Sequence, residues 1–182
     1  MPKNRFPLQP LLKHIPLLGL CVALMGLTTL AFGQSAATGG SSVLGPAQTA
    51  KLLPASVYFK GQSATTQIRN SGGIRFADGS YTLAVMVDTS GYSSDVQQKY
   101  QAYLISEDPI KIEGKTLPAG TYGVGFVAGD KFVVMDVGAH DLLTVASQTD
   151  AALKRPMPLK VTAADNNTFR LYAGRRFIAF SR

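Results

Sequence analysis

From Ser56 to Ser181 apolar and polar residues alternate in short runs, each closed off by Gly, Asp, Asn or Pro. Alternation with period two puts successive side chains on opposite faces of a strand. The pattern predicts strands over 56–60, 65–69, 73–76, 81–88, 100–106, 110–112, 121–128, 131–137, 142–146, 159–163, 168–173 and 176–181. Many short strands at this spacing predict an all-β fold, a single β-sandwich or barrel-like domain of short antiparallel strands. Helical character is confined to 94–101, where Ser93 or Ser94 can cap a turn and Val96 and Tyr100 share a face. That segment amounts to at most one short connecting helix.

Two stretches share a pattern. Phe76-Ala77-Asp78-Gly79-Ser80-Tyr81 and Leu117-Pro118-Ala119-Gly120-Thr121-Tyr122 each run from an apolar residue through two turn residues to Gly, a hydroxyl residue and Tyr, and an alternating strand follows. Pro118 presets φ for a turn, and glycine accepts the left-handed conformation that closes one. Both stretches are therefore expected to start hairpins, with Gly79 and Gly120 at positive φ. Tyr81 and Tyr122 are expected to anchor those turns against the core, because aromatic residues favour strands. The second stretch, with its alternating strand, the Gly129-Asp130-Lys131 turn and the strand Phe132-Val133-Val134-Met135, resembles the L-P-A-G-T-Y hairpin of uncharacterised families of exported bacterial β-proteins. The resemblance implies an all-β exported protein and brings no catalytic residues with it.

The amino-terminal region changes what the rest can do. Lys3, Arg5 and Lys13 precede an apolar run from Ile15 to Phe32, and Ala31-Phe32-Gly33 supplies small residues for a signal peptidase. Residues 1–33 are expected to be a signal peptide, with the mature chain starting near Gln34. The rivals are a retained membrane anchor and lipidation at Cys21, which the bulky Leu20 beside it disfavours. Cleavage places the protein in the periplasm or outside the cell, touching the membrane only through the signal segment beforehand. It also removes Cys21, the single cysteine, and His14. No disulfide or thiol chemistry is then available. The Ser, Ala, Thr and Gly that follow predict a flexible linker over 34–52, and the all-β domain is expected over 53–182.

The whole chain carries a net charge of +7, but from Gln34 onward 15 basic residues face 11 acidic ones and the balance is +4. The excess sits in the last third, where Lys154, Arg155, Lys160, Arg170, Arg175 and Arg176 form a candidate patch for an anionic surface polymer or an envelope protein. The alternative is that these are solvated outward positions that also protect a sheet edge. Arg175-Arg176-Phe177-Ile178-Ala179-Phe180 lacks the glycine of an RNA-binding strand motif, and export argues against nucleic acid.

Catalytic candidates are few. His140 is the imidazole that survives cleavage. Asp136 or Asp141 could orient it, and Ser63 in Gly61-Gln62-Ser63-Ala64-Thr65 offers a hydroxyl. Thr65 stands where a nucleophile elbow needs glycine. One histidine beside aspartates also falls short of a metal site, so neither metal nor cofactor is expected. The favoured expectation is a non-enzymatic exported β-module with a binding or structural role in the envelope. A small outer-membrane β-barrel and a periplasmic hydrolase using His140 are its rivals.

Overall fold

The computed structural model describes residues 40–165 and 167–182. The expected signal segment 1–33 and the start of the expected linker lie outside the described residues. The chain folds into two antiparallel sheets. The larger has the spatial order β1 (Ser42–Leu44), β3 (Gln62–Arg75), β4 (Tyr81–Val87), β5 (Ala102–Ser106), β8 (Gly120–Val127), β9 (Lys131–Met135) and β10 (Asp141–Ala146). In addition, β2 (Ser56–Phe59) pairs with the first part of β3. The smaller runs β12 (Met157–Ala163), β13 (Thr168–Gly174), β14 (Arg176–Ser181), β6 (Ile110–Ile112) and β7 (Lys115–Leu117), with β11 (Gln148–Thr149) also beside β14. Two short helices, α1 (Pro46–Thr49) and α2 (Ser94–Lys99), complete the described elements. The sheets stay open at their edges, so this is a sandwich and not a closed barrel.

Two apolar layers hold the larger sheet. Its inner face meets the smaller sheet through Ile74, Ala84, Leu104, Val124, Phe126 and Phe132, which pack with Val161, Leu171, Ile178 and Phe180. Its outer face carries Leu83, Val85, Tyr103 and Val133 under Phe59, Tyr92, Val96 and Tyr100. Burial on both faces explains why Leu83-Ala84-Val85 and Phe132-Val133-Val134-Met135 have no polar interruption.

Strand β8 shows how the outer layer fits. Tyr122, Val124 and Phe126 point inward, while Gly123 and Gly125 leave the outer side bare. A Cβ on Gly123 would lie 2.3 Å from the Phe59 ring, and one on Gly125 would lie 2.0 Å from the Lys99 carbonyl oxygen. The missing side chains let the Phe59–Tyr100 stack, with centroids 3.8 Å apart, and the end of α2 rest on the sheet.

Several expectations are corrected. The runs 65–69 and 73–76 are one strand, β3, which carries Ile68, Arg69 and Asn70 as extra residues between its pairings at Gln67 and Ser71. Within the expected linker, β1 pairs with Gly73–Arg75, and the Thr49 hydroxyl meets that of Ser71 at 2.6 Å in a buried contact. The ordered part therefore begins before residue 53, because β3 offers an edge and a hydroxyl partner. The Phe76–Ser80 turn does join a hairpin, β3 to β4, with Arg75 opposite Tyr81. Pro118–Ala119 does not: β7 pairs with β6 in the smaller sheet, whereas β8 pairs with β5 and β9 in the larger. That turn is a corner between sheets, and the hairpins on its two sides are β6–β7 and β8–β9.

Candidate binding surface

His140 sits in a self-contained turn. Asp136 Oδ1 accepts from the backbone N–H groups of Gly138 and His140, both at 2.9 Å, and its Oδ2 lies 2.9 Å from His140 Nδ1. These hydrogen bonds hold the Asp136 carboxyl below its ordinary pKa. The ring is 81% exposed and bordered by Ala139, which adopts φ +71°. Asp141 turns away to pair with Lys99 Nζ at 2.7 Å. Ser63 lies on β2–β3, opposite Tyr58, and forms no hydrogen bond with His140 among the described residues. Among the described residues His140 is hydrogen-bonded through its ring to Asp136, and neither Ser63 nor Asp141 bonds to that ring, although Lys60 N–H donates to the Val137 carbonyl at 2.7 Å and sets the β2–β3 turn against this one. An aspartate that accepts three bonds from its own turn organises a loop.

The expected basic patch divides. Arg176 points toward the larger sheet, donating from Nη1 to the Val127 carbonyl and from Nη2 to the Phe126 carbonyl, both at 2.8 Å. Arg175 clips the preceding loop by donating to the carbonyls of Leu153 (3.1 Å) and Lys154 (3.2 Å). Lys154 and Arg155 are exposed in that loop. Lys160 and Arg170 remain on the outer face of the smaller sheet. The Arg170 guanidinium lies 4.8 Å from the centroid of Phe177 and is fixed by its contact with the ring.

A cation that the sequence reading passed over joins them. Lys111 on β6 faces the same side, since it pairs with Ser181, and Ser181 shares its face with Ala179, the partner of Arg170. The signal was present as three apolar-cation-apolar triplets: Ile110-Lys111-Ile112, Leu159-Lys160-Val161 and Phe169-Arg170-Leu171. In each the flanking residues are buried between the sheets, so the cation must point outward. The register steps each cation two residues further along the strands, so Lys160, Arg170 and Lys111 form a diagonal row of about 20 Å across β12, β13, β14 and β6 at the usual strand spacing and rise. Thr162, opposite Arg170, and Thr116, opposite Lys111, add hydroxyls to it. Two acids bear on this side: Asp150, whose Oδ2 accepts from the Tyr172 hydroxyl at 3.1 Å, and Glu113, whose Oε1 accepts from the Ala179 backbone N–H at 2.7 Å and which borders the same shallow surface as Lys111 and Ser181.

The interior between the sheets is filled. Two enclosed cavities, one beside Thr82 and Ile178 and one beside Met86 and Leu159, each have a volume of about 10 Å³ and apolar linings. Neither has room for more than about one water. No family model matches the chain, and no curated protein or solved structure has significant similarity to it.

Proposed function

We propose that the protein is an exported, non-enzymatic β-sandwich module that binds an anionic polymer of the bacterial envelope across the outer face of its smaller sheet. The observation carrying this reading is the placement of Lys111, Lys160 and Arg170 on one sheet face by three separate strands. Cations on a rigid face attract a polyanion at long range and tolerate variation in its detail. The filled core supports the same reading, because it leaves no enclosed space for a small substrate. The absence of a hydrogen bond between Ser63 and His140 among the described residues, and the engagement of Asp141 by Lys99, support a binding role over the hydrolytic rival.

The test is retention of the exported protein on immobilised carboxylated polysaccharide as salt is raised. The wild type should be retained at low ionic strength and released by salt, since exposed charges are screened. The double variant Lys111→Glu and Lys160→Glu should elute early with an unchanged melting midpoint. Equal retention of variant and wild type would refute the assignment of this face.

A further inference from the structure

A groove of about 630 Å³ opens beside the end of β8, bordered by α2, β9 and β10. It shares no residue with the row formed by Lys111, Lys160 and Arg170. Arg176 projects into it with its guanidinium fixed by the carbonyls of Phe126 and Val127 and lying 5.4 Å from the Phe126 ring centroid. Carbonyls leave the positive charge uncompensated, and neither Arg176 nor Lys131 has an ion pair among the described residues. Across the groove the Lys99–Asp141 pair closes at 2.7 Å with both side chains partly exposed. Gln98 and Thr144 add a neutral amide and a hydroxyl, and Val127 and Ala128 supply an apolar surface.

The composition of this groove differs from that of the outer face. Two free cations attract an anion, and the Asp141 oxygens, though held by Lys99, keep lone pairs that can accept from sugar hydroxyls. Its volume falls within the roughly 300–1,000 Å³ of small-molecule sites. We infer that this groove binds a single carboxylate-bearing sugar unit. Arg176 and Lys131 hold the carboxylate, while Asp141, Gln98 and Thr144 meet the ring hydroxyls. An arginine with its planar donors already oriented by fixed carbonyls loses little freedom on binding a carboxylate. This inference goes beyond face binding by naming a second site and the chemical unit it selects.

Calorimetric titration of the exported protein with D-glucuronate, D-glucose and inorganic phosphate tests it. Glucuronate should bind in the millimolar range and glucose about tenfold more weakly, a step of about 1.4 kcal/mol. Phosphate should also bind more weakly than glucuronate, lacking the ring that Asp141, Gln98 and Thr144 contact. Lys131→Met should reduce glucuronate affinity about tenfold at an unchanged melting midpoint. Thr144→Val should reduce affinity for glucuronate but not for phosphate. Equal affinity for phosphate and glucuronate would overturn the sugar assignment, and equal affinity for glucose and glucuronate would overturn the anionic one. Loss of glucuronate binding in the Lys111→Glu, Lys160→Glu variant with retention in Lys131→Met would place the site on the outer face instead. Absence of glucuronate binding would refute the groove while leaving polymer retention to be judged separately.

Discussion

Phe76–Val85 and Leu117–Phe126 start from nearly the same succession of residues and end in different places. In the first, Phe76 N–H donates to the Ser80 carbonyl at 2.8 Å and Gly79 N–H to the Phe76 carbonyl at 2.9 Å, so the turn closes on itself as a hairpin. In the second, Leu117 is already paired with Ile110, and Pro118 has no N–H to give. The chain leaves the smaller sheet there and enters the larger one. The tyrosines diverge too. Tyr122 is buried on the inner face and its hydroxyl donates back to the Pro118 carbonyl at 2.9 Å, whereas Tyr81 packs against the outer cluster and its backbone N–H donates to Glu107 Oε2 at 2.9 Å. A local turn pattern fixes a change of direction, and the partner of the preceding strand decides which sheet comes next.

The strands that follow diverge in the same way. At their outward positions β4 carries Leu83 and Val85, while β8 carries Gly123 and Gly125. On β8 the volume is supplied instead by Phe59, Tyr100 and the carbonyl of Lys99. The largest expected effect breaks this arrangement. Gly125→Ala sets a methyl against backbone and should destabilise the fold by about 3 kcal/mol, the upper end for overpacking. Val85→Ala, which removes methyl groups from the equivalent face of β4, should cost less, about 1–2 kcal/mol. Denaturant unfolding of both variants checks the order, and a neutral Gly125→Ala would mean that α2 does not rest on β8.

Smaller effects separate the tyrosines. Tyr122→Phe loses one half-buried hydrogen bond and should cost about 1 kcal/mol, whereas Tyr81→Phe should be neutral. Tyr100, on the other side of β8, gives the opposite expectation. Its hydroxyl is buried without a hydrogen-bond partner among the described residues, and burial pushes its pKa up. Tyr100→Phe should therefore leave stability unchanged or raise it by about 1 kcal/mol. Melting midpoints of the three variants would settle the order, and a loss in Tyr100→Phe equal to that in Tyr122→Phe would contradict it.

The fold class was legible because β-prone runs are closed off by Gly, Asp, Asn or Pro at short intervals, and because alternation survives in β12 and the first part of β3 even where burial on both faces removes it from β4, β5, β8 and β9. Strands β1, β7 and β11 were not legible, since two or three residues display a period only where a polar residue sits between two apolar ones, as in Ile110-Lys111-Ile112. Pairing partners were hidden for a different reason. The row of cations needs Lys111 beside a sheet built from residues after 147, and only the pairing of Ile112 with Phe180 brings them together. Arg176 was misjudged as part of that patch because alternation sends it inward, toward the carbonyls of Phe126 and Val127. The expected positive φ holds at Gly79, at +95°. It holds at Gly120 too, at +158°, and there a Cβ would also sit 2.8 Å from the Tyr122 hydroxyl. That constraint comes from a side chain folded back over the turn, which local turn geometry does not announce.

Acid should distinguish the two turns further. Asp78 accepts from the Arg182 guanidinium and from both the backbone N–H and hydroxyl of Ser80, and these hydrogen bonds hold its pKa at about 2 against an ordinary value of 3.8. Arg182 also reaches Asp108 at 2.8 Å, so the end of the chain is tied to the β3–β4 hairpin. The corresponding position of the other turn is Ala119, which does not titrate. A carboxylate with a depressed pKa contributes stability that is present above its unfolded value and disappears as pH falls through the folded one. The Asp78 contribution should therefore be complete at pH 5 and fade toward pH 2. Comparing wild type with Asp78→Asn isolates it from Asp88 and Asp136, whose pKa values are also lowered by their own turns. The wild type should melt at the higher temperature at pH 5, and the gap should close near pH 2. A gap of constant size across that range would mean that Asp78 anchors its turn by shape and not by charge.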